Sequence, residues 1–280
     1  METIPLEGAF GVELRGLDLS EGIDPSLAEK LRALLLEHRL LVLRDQRLDA
    51  PALREIGSRF GSLDVHPFIE SVPGVPEVVA VVKEADEERN FGGGWHSEVS
   101  FYERPAMGTL LYAVEVPEKG GDTLLADVIR AYEALPRDTQ ERIARLRGEH
   151  SAEHIYGPGG FYQDRASGAG SGTRTKDADA ARGRVEHPVV RTHPETGEKL
   201  LYVNLAFSVG IAGLPEEEAR PLLSELIQHA VRPEFVTRLH WEPGTLAVWD
   251  NRSTQHYALN DYAGHRREML RVVIEGDRPV

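Results

Sequence analysis

The sequence predicts a mainly β fold with flanking helices, built around a jelly-roll core. Strand-like runs occupy both ends of the chain, and helical patterns gather early and in two inserts. His96-Ser97-Glu98 and the distant His256 make a natural metal-ligand set. They converge only if strands far apart in the chain pair with one another. A closed or sandwiched antiparallel sheet, the double-stranded β-helix, achieves that.

Each element has its own signal. Gly11 to Leu19 (GVELRGLDL) alternates enough to be a strand. Asp24-Pro25 opens a helix, with Asp24 as N-cap and Pro25 at the first helical position. Leu27, Leu31, Leu34 and Leu35 then fall on one stripe. Leu40 to Arg44 is a short buried strand, Pro51 to Phe60 a second helix ending near Gly61, and Val78 to Val82 a strand. Ala106 to Val116 reads as a long strand, and Val128 to Arg147 as helix with a break at Pro136. Residues 157–184, rich in Gly, Ser, Ala and charge, read as a flexible surface loop. Strands resume directly after it, so it divides nothing, and residues 1–280 are expected to form one domain. Val189 to Asn204 is a hairpin with PETGE as its turn. Pro215 to Ala230 is an amphipathic helix carrying Leu222, Leu223, Leu226 and Ile227. The C-terminal strands are FVTRLHW, TLAVWD and MLRVVIEG.

Composition narrows the function. A formal net charge of −14 argues against nucleic acid or an anionic membrane surface as partner. It leaves room for a local basic pocket and a small anionic substrate. With no cysteine, disulfides, thiolate metal sites, iron–sulfur clusters and cysteine nucleophiles are excluded. Residues 1–30 carry acidic groups and no long apolar run, so no signal peptide is expected, and no stretch suits a membrane helix. A cytoplasmic protein is expected.

His96 and Glu98 are two residues apart, so one extended strand would present both to one ion. With His256 they form the two-histidine, one-carboxylate face that holds non-haem iron(II) and leaves other positions open. H-x-E alone is common by chance, and the same ligands suit zinc. Gly92-Gly93-Gly94-Trp95 leads into the pair, Gly120-Gly121-Asp122-Thr123 follows at a turn, and Trp249-Asp250-Asn251-Arg252 precedes His256.

Three separated segments carry a resemblance that spans nearly the whole chain. They are GWHSEVSFYERPAMGTLLYAVEVPEKGGDTLLADVIRAYEALP, HPVVRTHPETGEKLLYVN and WDNRSTQHYALNDYAGHRREMLRVVIEGDRP. In these the chain resembles the taurine dioxygenase and dichlorophenoxyacetate dioxygenase (TauD/TfdA) family. The resemblance implies a clavaminate synthase-like jelly roll and an oxidoreductase, a dioxygenase dependent on Fe(II), 2-oxoglutarate and O2. It implies that His96, Glu98 and His256 are the iron ligands. It also implies that Arg267 grips the distal carboxylate of 2-oxoglutarate, a role a guanidinium performs through two parallel hydrogen bonds, and that Thr123 supports the same carboxylate. By the same resemblance Arg271 binds the anionic head of the substrate, His66 lies in the substrate pocket and Phe207 packs over the substrate. A homo-oligomer, dimer or tetramer, is implied too.

The chain also departs from the family. Glu98 stands where most members have aspartate. A carboxylate is nevertheless present, which argues against a halogenase. Ile69 and Gly92 replace a tyrosine and an asparagine that serve the taurine enzymes near the substrate amine. A small aminosulfonate would therefore leave its ammonium without partners. The expected reaction is hydroxylation of an anionic substrate with a larger or more apolar body, releasing succinate and CO2, and cleaving a sulfonate or sulfate ester where one is present. Oxidative tailoring of a carboxylate, amino-acid or fatty-acid-like molecule is the alternative within enzymes. A non-catalytic or zinc-holding jelly-roll binder is the alternative outside them. The 157–184 loop is expected to act as a lid, with Tyr156, Phe161 or Tyr162 closing over the substrate.

Overall fold

The computed structural model describes residues 1–162 and 181–280. The first half holds β1 (Glu2–Pro5), β2 (Val12–Arg15), α1 (Pro25–His38), β3 (Leu40–Leu43), α2 (Ala50–Ser58), β4 (Ser71–Val72), β5 (Val75–Lys83) and β6 (Gly108–Glu115). Then come β7 (Thr123–Asp127), α3 (Val128–Glu133), α4 (Arg137–Ile143), β8 (Arg147–His150) and α5 (Glu153–Tyr156). After residue 180 follow β9 (Val185–Pro188), β10 (Val190–Thr192), β11 (Lys199–Leu201), β12 (Ser208–Ile211) and α6 (Glu216–Ala230). The chain closes with β13 (Val236–Leu239), β14 (Leu246–Asp250), β15 (Thr254–Ala258) and β16 (Arg267–Ile274).

Eight strands form the large sheet, in the order β1-β2-β3-β14-β6-β16-β5-β4, antiparallel except between β2 and β3. A small sheet, β13-β7-β15, lies against it. Side-chain alternation shows how. Leu41, Leu43, Leu110, Tyr112, Leu246, Val248, Leu270 and Val272 join one core with Leu31 and Leu35 of α1 and Leu53 and Ile56 of α2. The intervening residues Leu40, Val42, Leu111, Ala113, Ala247, Trp249 and Met269 join another with Leu125 of β7, Leu239 of β13 and Trp241. Successive residues of a strand face opposite ways. The large sheet is thus covered by helices on one side and by the small sheet on the other, which is the jelly-roll sandwich with flanking helices. Burial on both faces explains why these strands read as unbroken apolar runs. In β16 the row facing the small sheet is Arg267, Met269 and Arg271, two cations in an otherwise apolar layer.

Most element boundaries agree with the sequence. Asp24 caps α1, its carboxylate accepting from the Leu27 amide at 2.7 Å. The 189–204 hairpin is β10 and β11, and a further core joins them to α3 and α6. Three expectations need correction. The first strand stops at Arg15, because Gly16 turns the chain at φ 74°. The helix beginning at Val128 breaks as expected but ends at Ile143, and Arg147 already belongs to β8, paired with β9 and β12. His96 and Glu98 do not share a strand: His96 makes an isolated bridge to His256, and Glu98 lies in a turn. Of the 157–184 loop, residues 163–180 lie outside the described residues. Among the described residues no helix is long and apolar enough to cross a membrane.

Candidate active site

β15 is the frame of the site. One edge pairs with β7, placing His256 opposite Leu125. The other edge receives the 90–98 segment: His96 N–H donates to His256 O at 3.0 Å, His256 N–H to His96 O at 2.8 Å, and Ala258 N–H to Gly92 O at 3.1 Å. The Asn90 amide pins the segment further by donating to Ala258 O at 2.9 Å. The imidazoles of His96 and His256 are thereby brought to 4.0 Å between ring centres. Glycine at 92 serves this approach. Its φ is 79°, a left-handed conformation that side chains rarely adopt, while a Cβ there would be in ordinary contact with the His96 ring at 3.6 Å. Past Glu98 the chain turns through Val99 at φ 46°, a conformation that costs a β-branched residue about 1–3 kcal/mol and persists only under surrounding constraint. The packing of buried Val99 with Ala106 and Val273 supplies that constraint.

His96, Glu98 and His256 each offer a donor atom within 4.8 Å of the others, and all three are buried. Burial holds both imidazoles below the ordinary histidine pKa, so their lone pairs are available to a cation. His96 Nδ1 lies 2.7 Å from Gly94 O, which fixes that nitrogen as N–H donor and leaves Nε2 for the ion. Two neutral nitrogens and one carboxylate, gathered in one buried cluster, fit a divalent transition metal.

A cavity of about 40 Å³ adjoins the cluster, lined by His96, His256, Thr123, Arg267, Arg271 and Gly92 among others. Arg267 is buried, and its Nε and Nη2 have no hydrogen-bond partner among the described residues. Its guanidinium lies 5.9 Å from the Trp241 ring centre. Glycine at 121 gives it room, since a Cβ there would sit 3.3 Å from Arg267 Cδ. Thr123 Oγ1 accepts from the Trp241 indole N–H at 2.9 Å, which leaves the hydroxyl hydrogen to donate elsewhere. Arg271 is equally buried. Its Nη1 reaches both Glu98 oxygens, while its Nε and Nη2 lack partners among the described residues.

A second cavity, about 200 Å³, shares Phe91, Gly92 and His96 with the first. Phe207, Tyr156, Phe161, Tyr162, Ile155 and Leu205 give it apolar walls. Tyr162 stacks on Phe91 at 4.9 Å, and its oxygen accepts from Gly92 N–H at 2.9 Å. All three aromatics expected near a lid therefore line this cavity. Ile69 and His66 line neither cavity. Ile69 is fully buried in the apolar cluster behind the wall, and His66 packs edge-on to Phe68 and Tyr156.

Two residues at the site escaped the sequence reading. Trp241, in RLHWEPG, looks like one more core aromatic, and only the fold shows it holding Thr123. Asp64 stands two residues before His66; burial, then the charge of Glu98, pushes its carboxyl up to about 6, so it belongs to the same electrostatic neighbourhood.

With this geometry in view, residues 2–273 match the family described as "Taurine catabolism dioxygenase TauD, TfdA family". The chain is 32% identical to the alpha-ketoglutarate-dependent sulfate ester dioxygenase of Pseudomonas putida, covering 100% of this chain and 91% of that protein. It is 31% identical to the alpha-ketoglutarate-dependent 2,4-dichlorophenoxyacetate dioxygenase of Cupriavidus pinatubonensis, covering 99% and 98%. The crystal structure of a putative alpha-ketoglutarate-dependent taurine dioxygenase from Burkholderia xenovorans superposes with a TM-score of 0.82 at 32% identity, over 100% of this chain and 94% of that one. The fold and site thus define a 2-oxoglutarate-dependent non-haem iron dioxygenase, using Fe(II), 2-oxoglutarate and O2. The chain belongs to the TauD/TfdA family.

Proposed function

We propose that this enzyme hydroxylates the carbon bearing a sulfate ester on an otherwise apolar molecule, releasing sulfate. The observation that carries the reading is the pair of buried arginines, Arg267 and Arg271. Each presents an unpartnered Nε/Nη2 edge, beside one His-Glu-His cluster. Unpaired N–H groups on a buried guanidinium are costly, and a bidentate anion satisfies them. Two such edges call for two anions.

In this reading His96, Glu98 and His256 hold Fe(II). Arg267 and the Thr123 hydroxyl grip the far carboxylate of 2-oxoglutarate, and Arg271 takes the sulfate head. The iron and 2-oxoglutarate together supply the oxidising power that converts a substrate C–H to C–OH with O2, yielding succinate and CO2. Phe207, Tyr156, Tyr162 and Leu205 receive the apolar body and keep water away. His66 and Ile69 act from behind, setting where those aromatics stand. Hydroxylation beside a sulfate ester gives an unstable hemiacetal ester, whose collapse forms a carbonyl group and frees sulfate. The likeness to a sulfate ester dioxygenase supports this choice. Glycine at 92, which lines both cavities and offers no polar side chain there, supports an apolar substrate over taurine. A carboxylate substrate is the second reading, favoured by the likeness to the dichlorophenoxyacetate enzyme. The absence of cysteine supports a cytoplasmic setting.

Succinate and inorganic sulfate should be measured with decyl sulfate, decyl sulfonate, 2,4-dichlorophenoxyacetate and taurine. The expected result is one sulfate per succinate with decyl sulfate, and little turnover of taurine. Succinate from the aryloxy acid with no sulfate from the ester would replace the first reading by the second.

A further inference from the structure

Arg271 has two working edges. Its Nη1 contacts both oxygens of Glu98, at 3.3 and 3.2 Å. Its Nε and Nη2 lie buried and unpartnered among the described residues, in a side chain that lines the cavity beside the metal cluster. A guanidinium is planar and stiff, so whatever is held on one edge is fixed in angle relative to the other. Glu98 depends on this contact. It stands in a turn, its neighbour His256 Nε2 is 4.0 Å away, and Arg271 is the one hydrogen-bond donor to its carboxylate among the described residues. The contact also depends on glutamate, because an aspartate at the same backbone position is one methylene shorter.

We infer that Arg271 is a positioning residue for Glu98: one edge sets the orientation in which the carboxylate meets the metal, and the other edge takes the substrate anion. The inference rests on the reading of Glu98 as a metal ligand and deepens it. One rigid side chain joins the substrate head to the ligand set. The glutamate that departs from the family's usual aspartate has a structural reason, since it is long enough to reach Arg271.

Co(II) binding to the metal-free enzyme tests this without 2-oxoglutarate or substrate, by calorimetry and by the visible Co(II) spectrum. Arg271→Lys is the informative variant. It keeps the positive charge, so altered binding reports orientation and not repulsion, and an ammonium on a flexible four-carbon stem lacks the planar frame that fixes Nη1 against both oxygens. The expected result is Co(II) affinity weakened about tenfold with a changed visible band. In the Glu98→Asp background the same substitution should change affinity by less than about twofold, because the shorter carboxylate has no contact to lose. Unchanged affinity and spectrum in Arg271→Lys, or equal losses in the two backgrounds, would overturn the inference. Near-ultraviolet circular dichroism confirms that each variant is folded. The underlying site reading fails separately: wild-type protein would then bind no Co(II), or His96→Ala would bind it as tightly as wild type.

Discussion

In the proposed reading Thr123 and Arg267 divide the recognition of one carboxylate between a neutral and a charged donor, and mutation should separate them. Removing Arg267 deletes a charge-assisted pair, and Arg267→Leu should raise the KM for 2-oxoglutarate about ten- to a hundredfold. Thr123→Val deletes a neutral donor and should raise it roughly threefold to tenfold. It also strips the Trp241 indole of its acceptor, so the protein should lose stability while Thr123→Ser keeps both properties. Steady-state kinetics with 2-oxoglutarate varied, beside thermal melts, check the pattern. Equal KM changes for the two removals would show that charge at 267 is not the anchor. At this scale the ligand types of His96, Glu98 and His256 were legible from the residues, whereas Arg267 and Thr123 stood out only through the family resemblance; the fold lines one cavity with His96, His256, Thr123 and Arg267. The sequence was silent on Trp241, because nothing in a string of letters says which aromatic meets which hydroxyl.

Elements show a different limit. Helix caps and doubly buried strands leave local marks, so Asp24-Pro25 and the Leu40–Leu43 run were readable. The turn at Glu98 left none, because HSEVS alternates like a strand and its reversal depends on a strained Val99 held by Ala106 and Val273 from elsewhere in the chain. The same dependence on distant packing appears at α2. Gly57 is a poor choice for a helix interior, where alanine would be favoured by about 1 kcal/mol. Yet a Cβ at Gly57 would lie 2.8 Å from Val272 Cγ1 on β16, the strand that carries Arg267 and Arg271. Overpacking of this kind costs about 1–3 kcal/mol. Gly57→Ala should therefore destabilise the protein despite its better propensity, and should weaken the binding of 2-oxoglutarate by displacing β16. Denaturant melts decide it: a stabilised Gly57→Ala would show that α2 can shift without disturbing the strand.

For the whole molecule, buried titratable groups set how stability responds to pH. His150 and His187 meet edge-on at 5.2 Å between ring centres, and both rings pack against Tyr202. Burial lowers His150 from 6.5 to about 3, helped by His187. Burial lowers His187 to about 4, with Arg191 assisting against its hydrogen bond to the Tyr102 carbonyl. Below pH 6.5 the unfolded chain protonates both histidines while the folded chain does not. Stability is thus fully present above that pH and is lost as pH falls toward 4, at about 1.4 kcal/mol per pH unit for each proton. Asp64 works the other way. Its carboxyl, raised from 3.8 to about 6, holds a proton in the fold that the unfolded chain has released, so its contribution declines as pH rises through that interval. Among these three groups two protons oppose one, and their balance favours loss of stability on acidification. His187→Phe removes one of the two and keeps an aromatic ring against Tyr202. Unfolding free energies at pH 7, 6 and 5 should show the wild type losing more than the variant, by roughly 0.7 kcal/mol between pH 7 and 6 and roughly 1.2 kcal/mol between pH 6 and 5, whatever the variant's absolute stability. Parallel slopes would mean that His187 takes up its proton in the folded state, and that its contact with the Tyr102 carbonyl outweighs burial.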